Sequence, residues 1–356
     1  MTTVTHTLPN GKRKYYRGKT KREAEAKRDK DIALTKRGVD VSSDPLFKDV
    51  GELWFSFKNN DDLHIRTRET LEGTLRRYIY PAIGDRKIRE LRPLDIMNMM
   101  RGLSSMSNST QRKVLQATKA ICAFAVDNDM IPKTPVLSSI KAGGETTEEI
   151  QPLTDEQCKR LLAAVEGTRA HLFVELLLYT GLRRGEALGL MWKDIDFKAA
   201  TLKVERSVVY PSNNQGGEIN PELKTSAARR TIPVVPRLLE DLKEARAKSK
   251  SLYVFSMKDG SFLSESSFRR MWELIDNRSY ITASDTSRLD RTLDFDVHPH
   301  LLRHTCVTRW IEHGLAVKEV QYLAGHATPD VTMKIYAHYR KEQLLAETAA
   351  KMAAMM

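Results

Sequence analysis

Four segments in the second half of the chain carry side chains suited to chemistry on a phosphate group. They are TGLRRGEALGL, ELKTSAARRTIPVV, HPHLLRHT and LAGHATPDVTMKIYAHY. In chain order they supply Arg183 and Glu186, then Lys224, then His300, Arg303 and His304, and finally His326 and Tyr336. Within HPHLLRHT the spacing is i, i+3 and i+4, so a helix would present those three side chains from one face.

A phosphodiester under nucleophilic attack has three requirements that these residue types can meet without a metal. Two guanidinium groups can bind the non-bridging oxygens bidentately and neutralise the charge that builds on them. A lysine or histidine can protonate the leaving oxygen. A tyrosine hydroxyl can attack, but its ordinary pKa is about 10, so it needs cationic neighbours or a base nearby.

The histidines of HPHLLRHT also permit a different interpretation. His300 and His304 have the i, i+4 spacing of zinc ligands on a helix, and Asp294 and Asp296 could add carboxylates. The fixed positive charge of Arg303 would oppose such an ion. A zinc site would also leave the other three segments unexplained, so phosphate chemistry is the favoured interpretation.

Taken singly, these residues have ordinary explanations. Arg183 could form a surface ion pair with Glu186, and Lys224 could be a turn lysine. Tyr336 could be packing, and Tyr339 competes with it as the nucleophile. The argument for chemistry is that all these residue types occur together in this order.

The elements that must position these residues begin near Leu153. Thr154 and Gln157 form a capping box that starts a helix. HLFVELLLYTGLRRGEALGLMW predicts two helices broken at Thr180–Gly181, and TLKVERSVVY alternates like a strand. ELKTSAARRTIPVV predicts a turn, which holds the lysine, followed by another strand.

The remainder of the chain is predicted to be mostly helical. The helical pattern runs from Pro236 to the end, apart from a loop near residues 277–297. Thr328 and Pro329 start the helix that carries Tyr336.

A helical unit precedes these segments between residues 46 and 129. Its first helix has one apolar stripe, Leu46, Val50, Leu53, Trp54 and Phe57. Pro81 and Gly84 are predicted to end a second helix, Pro93 starts a third, and STQRKVLQATKAICAFAVDN supplies a fourth. Basic residues suited to contacts with a phosphate backbone are Arg66, Arg68, Arg112 and Lys113.

The N-terminal segment predicts a hairpin followed by a helix. Asn10-Gly11 is a hairpin turn signal, Thr20 and Glu23 form a capping box, and Gly38 can end the helix. The basic residues around the ribbon are Lys12, Arg13, Lys14 and Arg17. A two-stranded ribbon of this kind can enter the major groove of DNA. The alternative is an unstructured basic arm.

Composition favours a protein that binds a polyanion inside the cell. The net charge is +12, and residues 1–45 alone carry 12 Lys/Arg against 6 Asp/Glu. No apolar run approaches the ~18 residues of a membrane span, and no secretory signal opens the chain. The three cysteines are far apart and form no metal-type pair. We therefore expect a cytoplasmic protein of two or three domains.

The four segments together resemble the tyrosine recombinase family, also called the phage integrase family. The matching pieces are TGLRRGEALGL, LKTSAARRTIPV, HLLRHT and LAGHATPDVTMKIYAHY, within residues 153–340. The resemblance implies that Arg183 and Arg303 clamp the scissile phosphate, and that Lys224 protonates the 5′-oxygen. It implies that His300 assists proton transfer, His326 binds the phosphate, and Tyr336 forms a 3′-phosphotyrosyl link. Glu186 and His304 would support the site from behind, and no cofactor or metal would be needed.

The resemblance also implies an architecture that is mainly α with small β-sheets. Residues 1–42 would form an arm-type DNA-binding domain, a β-hairpin and helix that look abbreviated, and 45–135 a helical core-binding domain. A linker, 136–152, would lead to a mixed α/β catalytic domain, 153–340. The tail, 341–356, could dock on a neighbouring protomer.

The predicted function is that of a site-specific DNA recombinase, most simply the integrase of a phage or conjugative transposon. The expected partners are double-stranded DNA, at core and arm sites, three further copies of the chain in a tetramer, and an accessory protein that bends DNA or sets direction. Two alternatives are a type IB topoisomerase-like enzyme and a DNA-binding regulator that does not cut. The arm-like segment argues against the first, and the intact set of six against the second.

Overall fold

The computed structural model describes residues 1–8, 11–36, 39, 41, 44–59, 65–144, 150–211, 216–220, 229–275, 293–333, 335–337 and 352–353. The chain divides into two compact units, Met1–Glu148 and Glu149–Met356. Helices dominate both, and the sheets are small and antiparallel, which confirms the predicted fold class. Within the described ranges, no helix is both long enough and apolar enough to cross a membrane.

The first unit opens with the predicted hairpin and helix. Strands β1 (Thr2–Thr7) and β2 (Arg13–Gly18) pair antiparallel, and helix α1 (Lys21–Thr35) follows. Gly11 adopts a left-handed φ of 78° in the turn, while Asn10 lies outside the described residues. Thr20 Oγ1 accepts a hydrogen bond from Glu23 N, which confirms the predicted helix start. Gly38, the predicted stop, also lies outside the described residues.

Four α-helices build the rest of the first unit. They are α2 (Phe47–Asn59), α3 (Ile65–Thr74), α4 (Pro93–Gly102) and α5 (Asn108–Asp127). The helix ends at Gly84 as predicted, but the stop predicted at Pro81 is wrong, because α3 continues as a π-helix, Leu75–Gly84, with Pro81 inside it. The wider π turn tolerates a residue that has no N–H to donate. Leu53 and Phe57, predicted on the buried stripe, are 43% and 59% exposed.

The segment after α5 remains packed on this helical unit. Val136 and Ile140 are buried in its core, and Asn108 Nδ2 donates to Gly143 O at 2.8 Å. The first half of the predicted linker, 136–152, is therefore part of the packed unit, and residues 145–149 lie outside the described residues.

Between residues 150 and 325, the described part of the second unit contains seven α-helices and two small sheets. The helices are α6 (Asp155–Val165), α7 (His171–Thr180), α8 (Arg184–Leu188), α9 (Pro236–Lys248), α10 (Glu265–Trp272), α11 (Pro299–Glu312) and α12 (Val317–Ala324). The strands are β3 (Ile195–Asp196), β4 (Thr201–Val204), β5 (Ser207–Val209), β6 (Glu218–Asn220) and β7 (Arg230–Pro233). They form the sheets β3-β4-β7 and β5-β6.

Two predictions for this unit need correction. TLKVERSVVY is not one strand, because the chain leaves the first sheet after Val204 and enters the second at Ser207. Residues 249–264 are not helical, because a turn at Gly260, with a φ of 85°, brings Ser256 and Phe262 into a β-bridge. The predicted break at Thr180–Gly181 is confirmed, and so is the capping box at the start of α6. The described residues 329–333 and 335–337 are helical, so Tyr336 lies in a helix as predicted.

Candidate active site

A left-handed glycine ends α7 and sets the position of Arg183. Gly181 has a φ of 60°, and the chain reverses there so that Arg183 becomes the N-cap residue of α8. A Cβ at Gly181 would lie 3.1 Å from the Trp310 ring and 3.4 Å from Cys306 Sγ. Glycine is therefore required both by the backbone angle and by the close approach of α11.

Helix α11 carries Arg303 into the interior of the unit. Its start is fixed by His298, whose Nδ1 accepts a hydrogen bond from Leu301 N, and by proline at the first position. Arg303 is only 3% exposed, and its Nη1 donates to Gly181 O at 2.6 Å. Its Nη2 donates to Ala324 O at 2.5 Å, so this one guanidinium joins the ends of α7 and α12.

The C-terminal end of α12 is the point where three arginines meet. Helix α12 ends at Gly325, which has a φ of 64°. Three consecutive carbonyls there accept from three guanidinium groups: Leu323 O from Arg230 Nε at 2.7 Å, Ala324 O from Arg303, and Gly325 O from Arg183 Nη2 at 2.6 Å. The last carbonyls of a helix have no partner within the helix and carry partial negative charge, so they attract cations. This helix end gathers residues that lie up to 142 positions apart in sequence.

Glu186 holds two of the arginines from behind. Its carboxylate accepts from Arg183 N and Nη1, at 2.9 and 2.7 Å, and from Arg230 Nη1 and Nη2, at 3.2 and 2.8 Å. Burial alone would raise the pKa of Glu186, but the hydrogen bonds from Arg230 and the charges of both arginines outweigh it and lower the pKa to about 2. The carboxylate is therefore ionised at neutral pH, and its one negative charge is shared by the two guanidiniums that it binds.

Both predicted catalytic histidines lie in this cationic environment. Burial and the charge of Arg303 lower the pKa of His300, with smaller effects of His298 and Arg183. Burial and the charges of Arg303 and Arg183 also lower the pKa of His326, to about 4. His326 is 8% exposed, and its Nδ1 lies 2.8 Å from Thr332 Oγ1. Both rings are therefore neutral at pH 7.

Tyr336 packs against an apolar cluster that includes a residue at the end of α12. Its ring is half-buried against an apolar cluster of Val307, Ile311, Val320 and Ala324. Ala324 belongs to the helix end that binds the arginines, so the tyrosine packs on the same scaffold. His304 is half-buried on α11, next to Arg303. Lys224 and Tyr339 lie outside the described residues.

Arg230 is a site residue that the sequence interpretation missed. It stands at the start of β7 within the segment SAARRTIPV, and its side chain is 0% exposed. Strand alternation puts it on the inward face with Ile232. An arginine on the buried face of a strand needs a carboxylate or carbonyl partner, and that alternation was the available signal.

One of the two carboxylates considered for the zinc alternative is paired with an arginine. Asp294, a carboxylate that such an ion could have used, binds Arg160 at 2.9 Å. In the described part of the chain, the residues that come together with metal-ligating groups are instead His171, Glu175 and Asp241. There the buried Glu175 forms an ion pair with Arg237 at 3.0 Å.

The basic residues predicted to contact DNA fall into two groups. Those that the structure places on the surface are Lys12, Arg13, Arg17, Arg66, Arg68, Arg112 and Lys113. Lys14 is different, because its Nζ donates to Val41 O at 2.6 Å and pairs with Asp31 at 2.9 Å. Its ammonium group is thus bound within the fold, and a DNA contact of Lys14 stays a prediction.

Comparison with known proteins gives one consistent family. Residues 151–343 match the model of the phage integrase family, and residues 47–139 match that of the phage integrase central domain. A tyrosine recombinase XerC-like protein of Caldanaerobacter subterraneus subsp. tengcongensis is 28% identical, over 94% of this chain and 90% of the relative. The transposase from transposon Tn916 of Enterococcus faecalis is 24% identical, over 74% of this chain and 67% of that protein.

Solved structures show the same fold. The Tn1549 transposon integrase in complex with a circular intermediate DNA superposes with a TM-score of 0.67 at 21% identity, over 84% of this chain and 99% of that one. A lambda integrase dimer bound to a COC′ core site gives 0.62 at 16% identity, over 94% and 92%. Because the first family model covers more than half of its length, the chain belongs to the phage integrase family.

The sequence-based prediction of function is thereby confirmed at the level of reaction class. The protein is a tyrosine-type site-specific DNA recombinase, which breaks and rejoins DNA strands. Membership of this family favours recombination over the topoisomerase-like and non-catalytic alternatives.

Proposed function

We propose that Tyr336 attacks a DNA phosphodiester held between Arg183 and Arg303. The observation that carries this proposal is the convergence of the two guanidiniums on the adjacent carbonyls of Ala324 and Gly325. Neighbouring anchors place two planar cations side by side, and such a pair matches the two non-bridging oxygens of a phosphate. Arg183 is 42% exposed, so it remains accessible to DNA.

In the proposed step, the Tyr336 oxygen forms a bond to phosphorus and the bond from phosphorus to the 5′-oxygen breaks. The tyrosine proton passes to His300, whose lowered pKa keeps the ring neutral and able to accept it. Lys224 donates a proton to the departing 5′-oxygen. The product is a 3′-phosphotyrosyl link, which stores the energy of the broken bond. A 5′-hydroxyl from the partner duplex then reverses the chemistry, so no nucleotide cofactor or metal is consumed.

His326 is proposed to act as a neutral hydrogen-bond donor. If its Nδ1 accepts from the Thr332 hydroxyl, then Nε2 carries the proton and can donate to a non-bridging oxygen. A pKa of about 4 keeps the ring in this state throughout the physiological range. Its contribution is then a fixed dipole that stabilises charge as it develops in the transition state.

At the level of biology, we propose that the protein integrates and excises a mobile element in the cytoplasm of a bacterial host. Support comes from the relatives, which include the transposase of Tn916 and the Tn1549 integrase solved with a circular intermediate DNA. The lambda integrase has been solved as a tetramer bound to a Holliday junction, and we propose a tetramer on DNA here too. A DNA-bending or directionality protein would assist.

We propose separate tasks for the remaining parts of the chain. Residues 1–42 would bind arm sites, through the exposed Arg13, Tyr15 and Arg17 of the hairpin. Residues 45–135 would bind the core site next to the cleavage point. The tail, 341–356, would dock on a neighbouring protomer, although most of it lies outside the described residues.

The proposed nucleophile can be tested with a nicked suicide substrate, which traps the covalent intermediate because the cut fragment diffuses away. Tyr336→Phe should bind this DNA normally and form no covalent adduct. Tyr339→Phe is the matched control, because it removes the competing hydroxyl three residues away, and it should still form the adduct. An adduct with Tyr336→Phe, or its loss only with Tyr339→Phe, would overturn the assignment.

A further inference from the structure

Arg230 has no role in the proposed reaction, although it is bound as closely to the helix end as the two clamp arginines. Its side chain is 0% exposed, whereas that of Arg183 is 42% exposed. Arg230 Nε donates to Leu323 O, and its Nη1 and Nη2 both donate to the Glu186 carboxylate, so each nitrogen of this guanidinium already has an acceptor within the protein. These acceptors are the Glu186 carboxylate, which holds Arg183, and the Leu323 carbonyl, which lies in the turn before His326.

We propose that Arg230 is a positioning residue that locks Arg183 and the end of α12, which carries His326, into one geometry. The inference rests on the roles proposed above for Arg183 and His326. It assigns to Arg230 no contact with DNA. Its effect on cleavage would pass through Glu186 on one side and through the Leu323 carbonyl on the other.

The first part of the lock is the shared carboxylate of Glu186. Each of its oxygens accepts from both arginines: Oε1 from Arg183 Nη1 and Arg230 Nη1, and Oε2 from Arg183 N and Arg230 Nη2. The fork of Arg230 thus fixes the plane of the carboxylate, and the carboxylate in turn fixes Arg183. Without the two bonds from Arg230, Arg183 alone would have to orient the Glu186 carboxylate. Rotation of the carboxylate would then move the Arg183 side chain.

The second part of the lock is the bond from Arg230 Nε to Leu323 O, at 2.7 Å. A Cβ added to Gly325 would lie only 2.8 Å from Arg230 Nη1, so the last turn of α12 rests directly on the guanidinium plane. His326 is the next residue. One rigid planar group therefore sets both the carboxylate that holds Arg183 and the turn that holds His326, which a lysine ammonium cannot do.

The charge of Arg230 also acts on His326. Burial is the largest cause that lowers the pKa of the His326 imidazole. The next largest are the charges of the Arg303, Arg183 and Arg230 guanidiniums. Removing the Arg230 charge should therefore move the titration of His326 to higher pH. This electrostatic effect depends on charge alone, whereas the geometric lock depends on the fork, so the two can be separated by substitution.

The test compares Arg230→Met and Arg230→Lys in the full-length protein. The readouts are single-turnover cleavage at saturating DNA, DNA affinity, and the histidine titrations followed by NMR. We expect Arg230→Met to cleave about 100-fold more slowly, as when a reacting group is misplaced by about 1 Å. DNA affinity should change little, and His326 should titrate at higher pH. Arg230→Lys should restore the titration but not the cleavage rate.

Arg206→Met is the matched control for simple loss of a buried ion pair. Arg206 forms a two-pronged pair with Asp194 in the same unit and donates to Gly189 O, and the hydrogen bonds that the structure describes for it do not reach α12. It should lower thermal stability and leave the His326 titration unchanged. The inference is overturned if Arg230→Met keeps the wild-type rate and titration, or if Arg206→Met reproduces both changes.

Two further outcomes are decisive. Should Arg230→Met fail to fold, Arg230→Lys decides alone: a wild-type cleavage rate there would overturn the inference. Failure of the proposed function would look different, because Tyr336→Phe would then still form the covalent adduct. That result does not depend on how the Arg230 variants behave.

Discussion

Replacement of Glu186 by glutamine tests the central ion cluster through its pH dependence. In the folded protein the pKa of Glu186 falls from 4.5 to about 2, against the opposing effect of burial. A shift of roughly 2.5 units corresponds to about 3 kcal/mol in favour of the ionised, folded state at pH 7. Because the folded-state pKa is the lower one, this stabilisation is complete above pH 4.5 and is lost as the pH falls towards 2.

The assay is urea unfolding of the full-length protein and of Glu186→Gln between pH 7 and pH 3, with hydrogen exchange used to follow peptides from 149–356. The variant should be about 3 kcal/mol less stable at pH 7. The difference from wild type should shrink to about 1 kcal/mol at pH 3. Arg183 also loses its anchor in this variant, so cleavage should fall while the protein remains folded at neutral pH.

Glu175→Gln is the control with the opposite sign. Burial and the neighbouring Asp241 raise the pKa of Glu175 to about 7. Ionisation of this group therefore opposes folding, and the variant should gain stability relative to wild type as the pH rises from 4.5 to 7 and keep that gain above pH 7. A wild-type minus Glu186→Gln difference that stays constant from pH 7 to pH 3 would refute the assignment of Glu186 as the carboxylate that binds Arg183 and Arg230.

Three other predictions concern the clamp, the metal and the N-terminal segment. Arg303→Lys should lower single-turnover cleavage by about 100- to 1000-fold, the usual effect of losing one transition-state donor, with a much smaller change in DNA binding; equal losses in both would contradict the clamp. EDTA should leave cleavage intact, and loss of activity that zinc restores would instead indicate a metal site at the histidines. Deletion of residues 1–42 should spare cleavage of isolated core sites and weaken recombination on full sites. It should also reduce the salt dependence of DNA binding by about 0.9 in log–log slope per lost phosphate contact. Unchanged recombination on full sites would refute a second DNA-binding role.

The proposed catalytic residues could be singled out in the sequence because their types and local spacing are visible along the chain. Arg183 and Glu186 follow a glycine break, and Arg303 follows His300 by three positions in a helix with an evident start. Such signals depend only on neighbours within about one helical turn.

The residues that sequence interpretation missed depend on distant partners. Arg230 meets Glu186 and Leu323 across 44 and 93 positions, so its neighbours in sequence gave little sign of its role. The bond from Lys14 Nζ to Val41 O spans 27 positions and could not be read from the basic run in which Lys14 stands. Pro81 looked like a helix stop, because local rules do not anticipate a π-helix that is held by packing of Ile79 and Ile83 in the core.

The most direct test of the whole account is to identify the residue that becomes attached to DNA. The wild-type protein would be trapped on a nicked suicide substrate, digested with a protease, and analysed by mass spectrometry to find the peptide that bears a nucleotide. The account predicts a single phosphotyrosyl link, at Tyr336, to the 3′ end of the cut strand. A link at Tyr339, a link to a 5′ end, or cleavage with no attached peptide would contradict it.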